Sequence, residues 1–182
     1  MTKAKLLQIS QLGHPVLRKK ASEINDFKDK ELQDLIEDMM ATLKGKGVGI
    51  AAPQVYESKR VFIIASEPNK KHPDAPKMKP TAILNPKIIS RSEELEEDWE
   101  ACLSIPGFHG LVSRHKTIEV EYYTRDGEKR TEKFEGFLAR IFQHEFDHLN
   151  GLVYLDRIDR TKEHLEIATD EGYENMKKNK KK

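Results

Sequence analysis

Cysteine is almost missing from this chain: among 182 residues there is one, Cys102. A single thiol cannot close an internal disulfide, so folding asks for no oxidising compartment. Long apolar runs are missing too. None approaches the ~20 residues that span a bilayer. The start, MTKAKLLQISQL, has neither the apolar centre of a signal peptide nor the Arg/Ser richness of a transit peptide. No excess of either charge is present: 32 basic and 31 acidic side chains leave a net charge of +1. That balance argues against a nucleic acid or an anionic membrane as the main partner. No internal repeat is visible. The expectation is a soluble cytoplasmic protein without a membrane or direct nucleic-acid role.

The residues that are present suffice for one domain. Hydrophobic residues make up 37% and charged residues 35%, a polar composition whose apolar positions are nonetheless well patterned. Residues 1–176 read as a single domain and 177–182, KKNKKK, as a basic disordered tail, with a weak RNA or ribosome contact as the alternative. In DKELQDLIEDMMATLKG, Leu32, Leu35, Ile36, Met39, Met40 and Leu43 repeat at helical spacing, with Asp29 as N-cap and Gly45 as stop. The glycine-rich GKGVGIAAPQ leads into RVFIIAS, a buried strand. Residues 66–80 hold four prolines and read as a surface loop. TAILNP and KIIS read as two short strands, and EELEEDWE as a solvated acidic edge. TIEVEYYTRDGEKRTEKFEG predicts a hairpin turning at Asp126–Gly127. GFLARIFQHEFDHLNG predicts a second helix ending at Gly151, and residues 161–176 a third. Strands and helices without a βαβ rhythm indicate an α+β fold: mainly antiparallel sheets packed around a central helix that carries HExxH.

That helix holds the chemistry. On a wheel of ~100° per residue with Leu138 at zero, Phe142 and Leu149 fall within ~40°, Glu145 at roughly 340°, and His148 and His144 at roughly 280° and 240°. A carboxylate and two imidazoles thus lie in or beside the buried arc. Each would cost on the order of 1–3 kcal/mol if left without a partner. Imidazoles four apart can share one metal ion, with the adjacent Glu145 acting as a base. A helix with two hydrogen-bonded histidines, or a structural metal clip, stays open on these residues alone. A third ligand could come from Glu163, His164 or Glu166 downstream, as in many HExxH peptidases, or from Cys102 upstream, whose thiolate is a strong ligand for zinc or iron.

GVGIAAPQ, EACLS and QHEFDHLNG, in that order, resemble the three motifs of peptide deformylases, G-x-G-Φ-A-A-x-Q, E-G-C-Φ-S and H-E-x-x-H, where Φ is apolar. GHPVLRKKA and GLVYLDRI on the flanks fit as well. The resemblance implies that Cys102, His144 and His148 bind one metal ion, characteristically Fe2+ in this family, with Zn2+, Ni2+ or Co2+ compatible with the same donors. It implies Glu145 as general acid/base and Gln54 with the backbone N–H of Leu103 as the oxyanion-stabilising pair. It implies removal of the formyl group from formylmethionyl nascent peptides, releasing formate, with the ribosome as a transient partner. Val48 and Gly49 would pair with the peptide like an added strand, with Glu100, Ala101, Ile141 and Phe142 near the substrate. Asp147 would pair with Arg114, with orientation of His144 or surface solvation as the alternatives. Three positions depart from the pattern: Ala101 replaces glycine, His109 stands where arginine is common, and Ile50 replaces leucine. The first two bear on subsite preference rather than on the reaction. An HExxH endopeptidase and a non-catalytic metal-binding protein are the rivals. Cys102 speaks against the first, and the pairing of Glu145 with Gln54 against the second.

Overall fold

A computed structural model describes residues 4–68, 72–159 and 165–167. Helix α1, Lys30–Leu43, starts at Asp29, whose side chain accepts from Glu31 N–H at 3.2 Å. The strands are β1 Gly49–Ala51, β2 Val61–Ser66, β3 Met78–Arg91, β4 Leu95–Cys102, β5 Ile105–His115, β6 Thr117–Tyr123 and β7 Lys129–Glu135. Helix α2, Gly136–Leu149, follows, and β8, Leu165–Ile167, comes last. A five-stranded sheet has the order β1-β2-β3-β6-β7 and a three-stranded sheet the order β4-β5-β8. Every pairing is antiparallel, as the α+β expectation requires.

The run VFIIA is apolar throughout because both faces of β2 are covered. Phe62 and Ile64 pack with Ile83, Ile118, Val120, Phe134 and the α2 residues Ile141, Phe142 and Leu149. Val61 and Ile63 pack on the other side with Leu32, Ile36, Met39 and Leu43 of α1. The larger sheet therefore lies between the two helices, and successive side chains of β2 serve opposite cores. Phe142 anchors the α2 side, with Phe62 edge-on at 5.1 Å between ring centroids.

Three expectations change. TAILNP and KIIS belong to one long strand, β3, which also takes in residues 78–80 of the expected loop. Its irregularity is at Asn85, with φ 46, where the pairing with β6 shifts register. EELEEDWE is not simply a solvated edge: most of it lies in β4, which turns Glu96 and Glu97 outward and buries Glu100. Residues 165–167, inside the expected third helix, form β8, held by backbone pairing of Phe108, His109 and Gly110 with Ile167, Glu166 and Leu165. The rest of that stretch and the 177–182 tail lie outside the described residues.

Helix α2 ends in a Schellman arrangement. Leu152 N–H donates to Asp147 O at 3.0 Å and Gly151 N–H to His148 O at 3.2 Å. Gly151 takes φ 75, and a Cβ there would stand 2.7 Å from Arg18 O, so both the turn and the neighbouring chain require glycine.

Candidate metal centre and active site

Two elements bring the candidate residues together. Strands β4 and β5 are joined by a tight turn, Leu103–Ser104, with Cys102 and Ile105 paired across it, so Cys102 sits at the hairpin tip. Helix α2 presents His144 and His148 to that tip from one ridge. One donor atom from each of Cys102, His144 and His148 lies within 4.8 Å of the other two. Sγ of Cys102 is 3.3 Å from Nε2 of His148. Tetrahedral coordination with bonds near 2.3 Å to sulfur and 2.0–2.1 Å to nitrogen spaces donors roughly 3.3–3.6 Å apart. The three donors thus fit a single small divalent ion after minor adjustment. Glu166 is in β8 opposite His109, while Glu163 and His164 lie outside the described residues. Among the described residues this is the one grouping of three or more metal-ligating side chains that could share an ion.

Charge around the ligands is organised by Glu100. Its Oε2 accepts from His144 Nδ1 at 2.8 Å and from Arg114 Nη2 at 2.9 Å. Its Oε1 accepts from Arg114 Nε and Arg140 Nη1, each at 2.9 Å. Burial raises the Glu100 pKa, but Arg114 and His144 outweigh that and hold the carboxyl far below the usual range. Because Nδ1 of His144 faces a carboxylate, its Nε2 is the nitrogen left to serve as ligand. Arg114 also donates to Asp147 at 2.6 Å, and Arg157 closes on the same carboxylate at 2.6 Å. Asp147 is therefore a buried ion-pair partner of Arg114, not a solvated surface residue.

The two histidines titrate in opposite senses. Burial pushes His148 well below the ordinary histidine range, keeping it neutral with a free lone pair. At His144 burial acts in the same sense, yet hydrogen bonds to Cys102 and Glu100 prevail and hold its pKa well above 6.5. The surroundings thus favour a positive charge at His144 and disfavour one at His148, 3.3 Å from the thiol.

Glu145 lies in the floor of the cleft at 3% exposure. Its Oε2 is buried without a hydrogen-bond partner among the described residues, and burial raises its pKa to about 7. Gln54 is buried as well. Ala51 N–H donates to its Oε1 at 2.8 Å, which fixes the amide orientation and directs Nε2 to Cys102 Sγ and Ser104 Oγ, each at 3.3 Å. These groups open on a cleft of about 1780 Å³, also lined by Val48, Gly49, Glu100, Ala101, Leu103, Ile141 and His144. That is larger than the few hundred to ~1,000 Å³ usual for small-molecule sites and suits an extended chain. Ala101 and His109, both departures from the motif pattern, are cross-strand neighbours on its wall. Ile141 is also part of the core around Phe142, and the Glu100 carboxylate is committed to Arg114, Arg140 and His144.

Sequence reasoning overlooked Arg140. Its guanidinium donates to Glu100 and also to the carbonyls of Val112 at 2.8 Å and Glu96 at 2.5 Å, pinning α2 to β4 and β5. Its spacing was the available signal, four residues before His144 on the ridge that carries both histidines. Tyr154, stacked on His144 with centroids 6.2 Å apart, gave no such signal.

The comparisons with known proteins agree with this geometry. Residues 6–164 match the polypeptide deformylase family. Peptide deformylase 2 of Nostoc sp. is 51% identical over 172 residues, 94% of each chain. Peptide deformylase 2 of Shewanella oneidensis is 46% identical over 157 residues, 86% of each. Among solved structures, the Met-Ala-Ser-bound class I type b peptide deformylase from Acinetobacter baumannii superposes with a TM-score of 0.83 at 42% identity, covering 86% of this chain and 100% of that one. The peptide deformylase from Thermotoga maritima gives 0.76 at 41% identity, covering 85% and 98%. With its motifs in order and the match extending over most of its length, the chain belongs to the polypeptide deformylase family.

Proposed function

We propose that Cys102, His144 and His148 hold one Fe2+ ion and that Glu145, Gln54 and Leu103 act with it on the formyl group. The activity itself follows from the family: a metal-dependent hydrolase that removes the N-terminal formyl group from nascent polypeptides. The observation that carries the residue assignment is the convergence of a thiol and two imidazoles within 4.8 Å, with Cys102 and His144 lining the cleft and His148 fully buried. A divalent ion on these donors would supply Lewis acidity and would activate water for attack.

The chain's own groups do the rest. Glu145, with a pKa of about 7 before any cation binds, accepts a proton from the attacking water. Oxygen adds to the formyl carbon, and charge develops on the former carbonyl oxygen. The Nε2 donor of Gln54, oriented through Ala51, and the Leu103 N–H at the hairpin tip stabilise that charge. The C–N bond then breaks, Glu145 returns the proton to the leaving amine, and formate departs. Val48 and Gly49 on one wall and Ala101 on the other would flank the peptide, with Ile141 and Glu100 near its first side chain. The Met-Ala-Ser ligand of the Acinetobacter baumannii relative supports a methionine-first peptide in this cleft. Residues 1–176 form the catalytic domain and 177–182 a basic tail. The enzyme acts in the cytoplasm on chains emerging from the ribosome. No described helix is long and apolar enough to cross a membrane.

The test is anaerobic purification, metal determination and measurement of formate released from a formyl-Met peptide. Wild type should carry about one metal ion per chain and release formate. Glu145→Gln should keep the metal and lose at least ~100-fold in kcat, and Cys102→Ser should lose the metal. Metal-loaded wild type without formate release would overturn the reaction, and full metal in Cys102→Ser would overturn the ligand set.

A further inference from the structure

The GVG of the first motif contains two glycines, and the structure treats them differently. Gly49 begins β1 and pairs with Ile64 of β2. It is absent from the glycines with positive φ, so no special backbone conformation requires it. Glycine in a strand usually weakens it, and its presence points to a close approach. Side chains in β1 alternate: Ile50 packs with α1, while Ala51 packs with Ile141 and Phe142 of α2. Position 49 shares the face of Ala51.

What lies on that face is Glu145. A Cβ on Gly49 would stand 2.2 Å from its Oε1, 2.7 Å from Cδ and 2.9 Å from Cγ. Three successive parts of the arm collide, so turning the terminal carboxyl alone leaves the contacts with Cδ and Cγ in place. The arm is at 3% exposure, and Oε2 has no hydrogen-bond partner among the described residues to hold its aim. At Gly47, by contrast, a Cβ would meet only Leu43 Cδ1 at 3.6 Å and Gly49 O at 3.9 Å, ordinary contacts.

We propose that Gly49 is a positioning residue: its missing side chain forms a seat in β1 that holds the Glu145 carboxyl against strand backbone and aims it into the cleft. The consequence for catalysis rests on the reading of Glu145 as the base, whereas the seat itself does not. A methyl at 49 forces the carboxylate away from its position. Displacements of about 1 Å at a reacting group can cost on the order of 100-fold in rate.

The test combines a stability cycle with kinetics. Metal-free wild type, Gly47→Ala, Gly49→Ala, Glu145→Ala and the Gly49→Ala/Glu145→Ala double variant are compared by thermal unfolding. Gly49→Ala should lower Tm by roughly 5 °C, and Gly47→Ala by less than roughly 2 °C. In the Glu145→Ala background the Gly49 methyl should cost almost nothing, because the arm it strikes is gone. On a formyl-Met peptide, metal-loaded Gly49→Ala should lose at least ~10-fold in kcat with KM changed by less than about threefold. Equal Tm losses in both backgrounds would overturn the seat. So would a raised KM at unchanged kcat, which would leave Gly49 serving only the approach of the peptide. Loss of the Tm penalty in the double variant, together with full kcat in Glu145→Gln, would uphold the seat and overturn the base.

Discussion

Behind the two imidazoles, Glu100 accepts four hydrogen bonds: two from Arg114, one from Arg140 and one from His144. A buried carboxylate of this kind is stable only while its cations stay in place, and the cations depend equally on it. Neutralising it by Glu100→Gln keeps the shape but weakens both the pairing with Arg114 and the hold on His144 Nδ1. Zn2+ affinity should fall 10–100-fold in chelator competition, and urea unfolding of the metal-free protein should show a loss of about 3–5 kcal/mol. Unchanged affinity would mean that Glu100 serves packing alone. Residue type and order gave Cys102, His144, Glu145, His148 and Gln54 away, because thiol, imidazole and carboxylate in these motifs have few other joint uses. Arg140 stayed hidden because a lone arginine on a helix reads as a solvated face. Only the approach of β4 and β5 turns it inward.

At the level of elements, legibility followed periodicity. Helix α1 and the β6–β7 hairpin stand where spacing and turn residues put them. The acidic β4 was obscured because its alternation is written in glutamates, and the direction of Glu100 is set by Arg114 and Arg140, far away in sequence. β8 was obscured because its three residues are strand through backbone pairing with β5, which side-chain pattern does not encode. The interruption between TAILNP and KIIS was visible, yet a bulge at Asn85 continues the strand where a break was expected. Elements legible in this way should also respond to local rules. Asp29 caps α1 through Glu31 N–H and is half-buried. Asp29→Ala should cost about 1 kcal/mol in chemical denaturation and leave kcat unchanged, since α1 contributes no group to the chemistry. A change in kcat would tie α1 to the cleft more tightly than its packing on β1 and β2 implies.

For the whole molecule, the metal centre is a local cost that the rest of the fold must carry. Burial lifts the Glu145 pKa from 4.5 to about 7. The folded state therefore holds this proton more tightly than the unfolded chain does. Below pH ~4.5 both states are protonated and Glu145 costs nothing. As pH rises from ~4.5 to ~7 the unfolded chain gives up its proton first, and the metal-free protein loses stability. Above about pH 7 the full penalty applies, about 3 kcal/mol for a shift of this size. Glu145→Gln removes the ionisation while keeping the shape. The metal-free variant should therefore match wild type near pH 4.5 and be more stable by about 3 kcal/mol at pH 8. For a chain of this length that is roughly 6–12 °C in Tm. A cation bound by Cys102, His144 and His148, the residues flanking Glu145 on α2 and at the hairpin tip, would favour the carboxylate, so the difference should shrink when the metal is restored. Thermal unfolding of both proteins from pH 4.5 to 8, with and without metal, measures each part. A constant gap across pH would show that Glu145 ionises as readily in the fold as in the unfolded chain, and a gap unaffected by metal would place its carboxyl beyond the reach of the ion. The agreement of gap, pH and metal dependence would locate in one side chain the stability that the fold gives up for its chemistry.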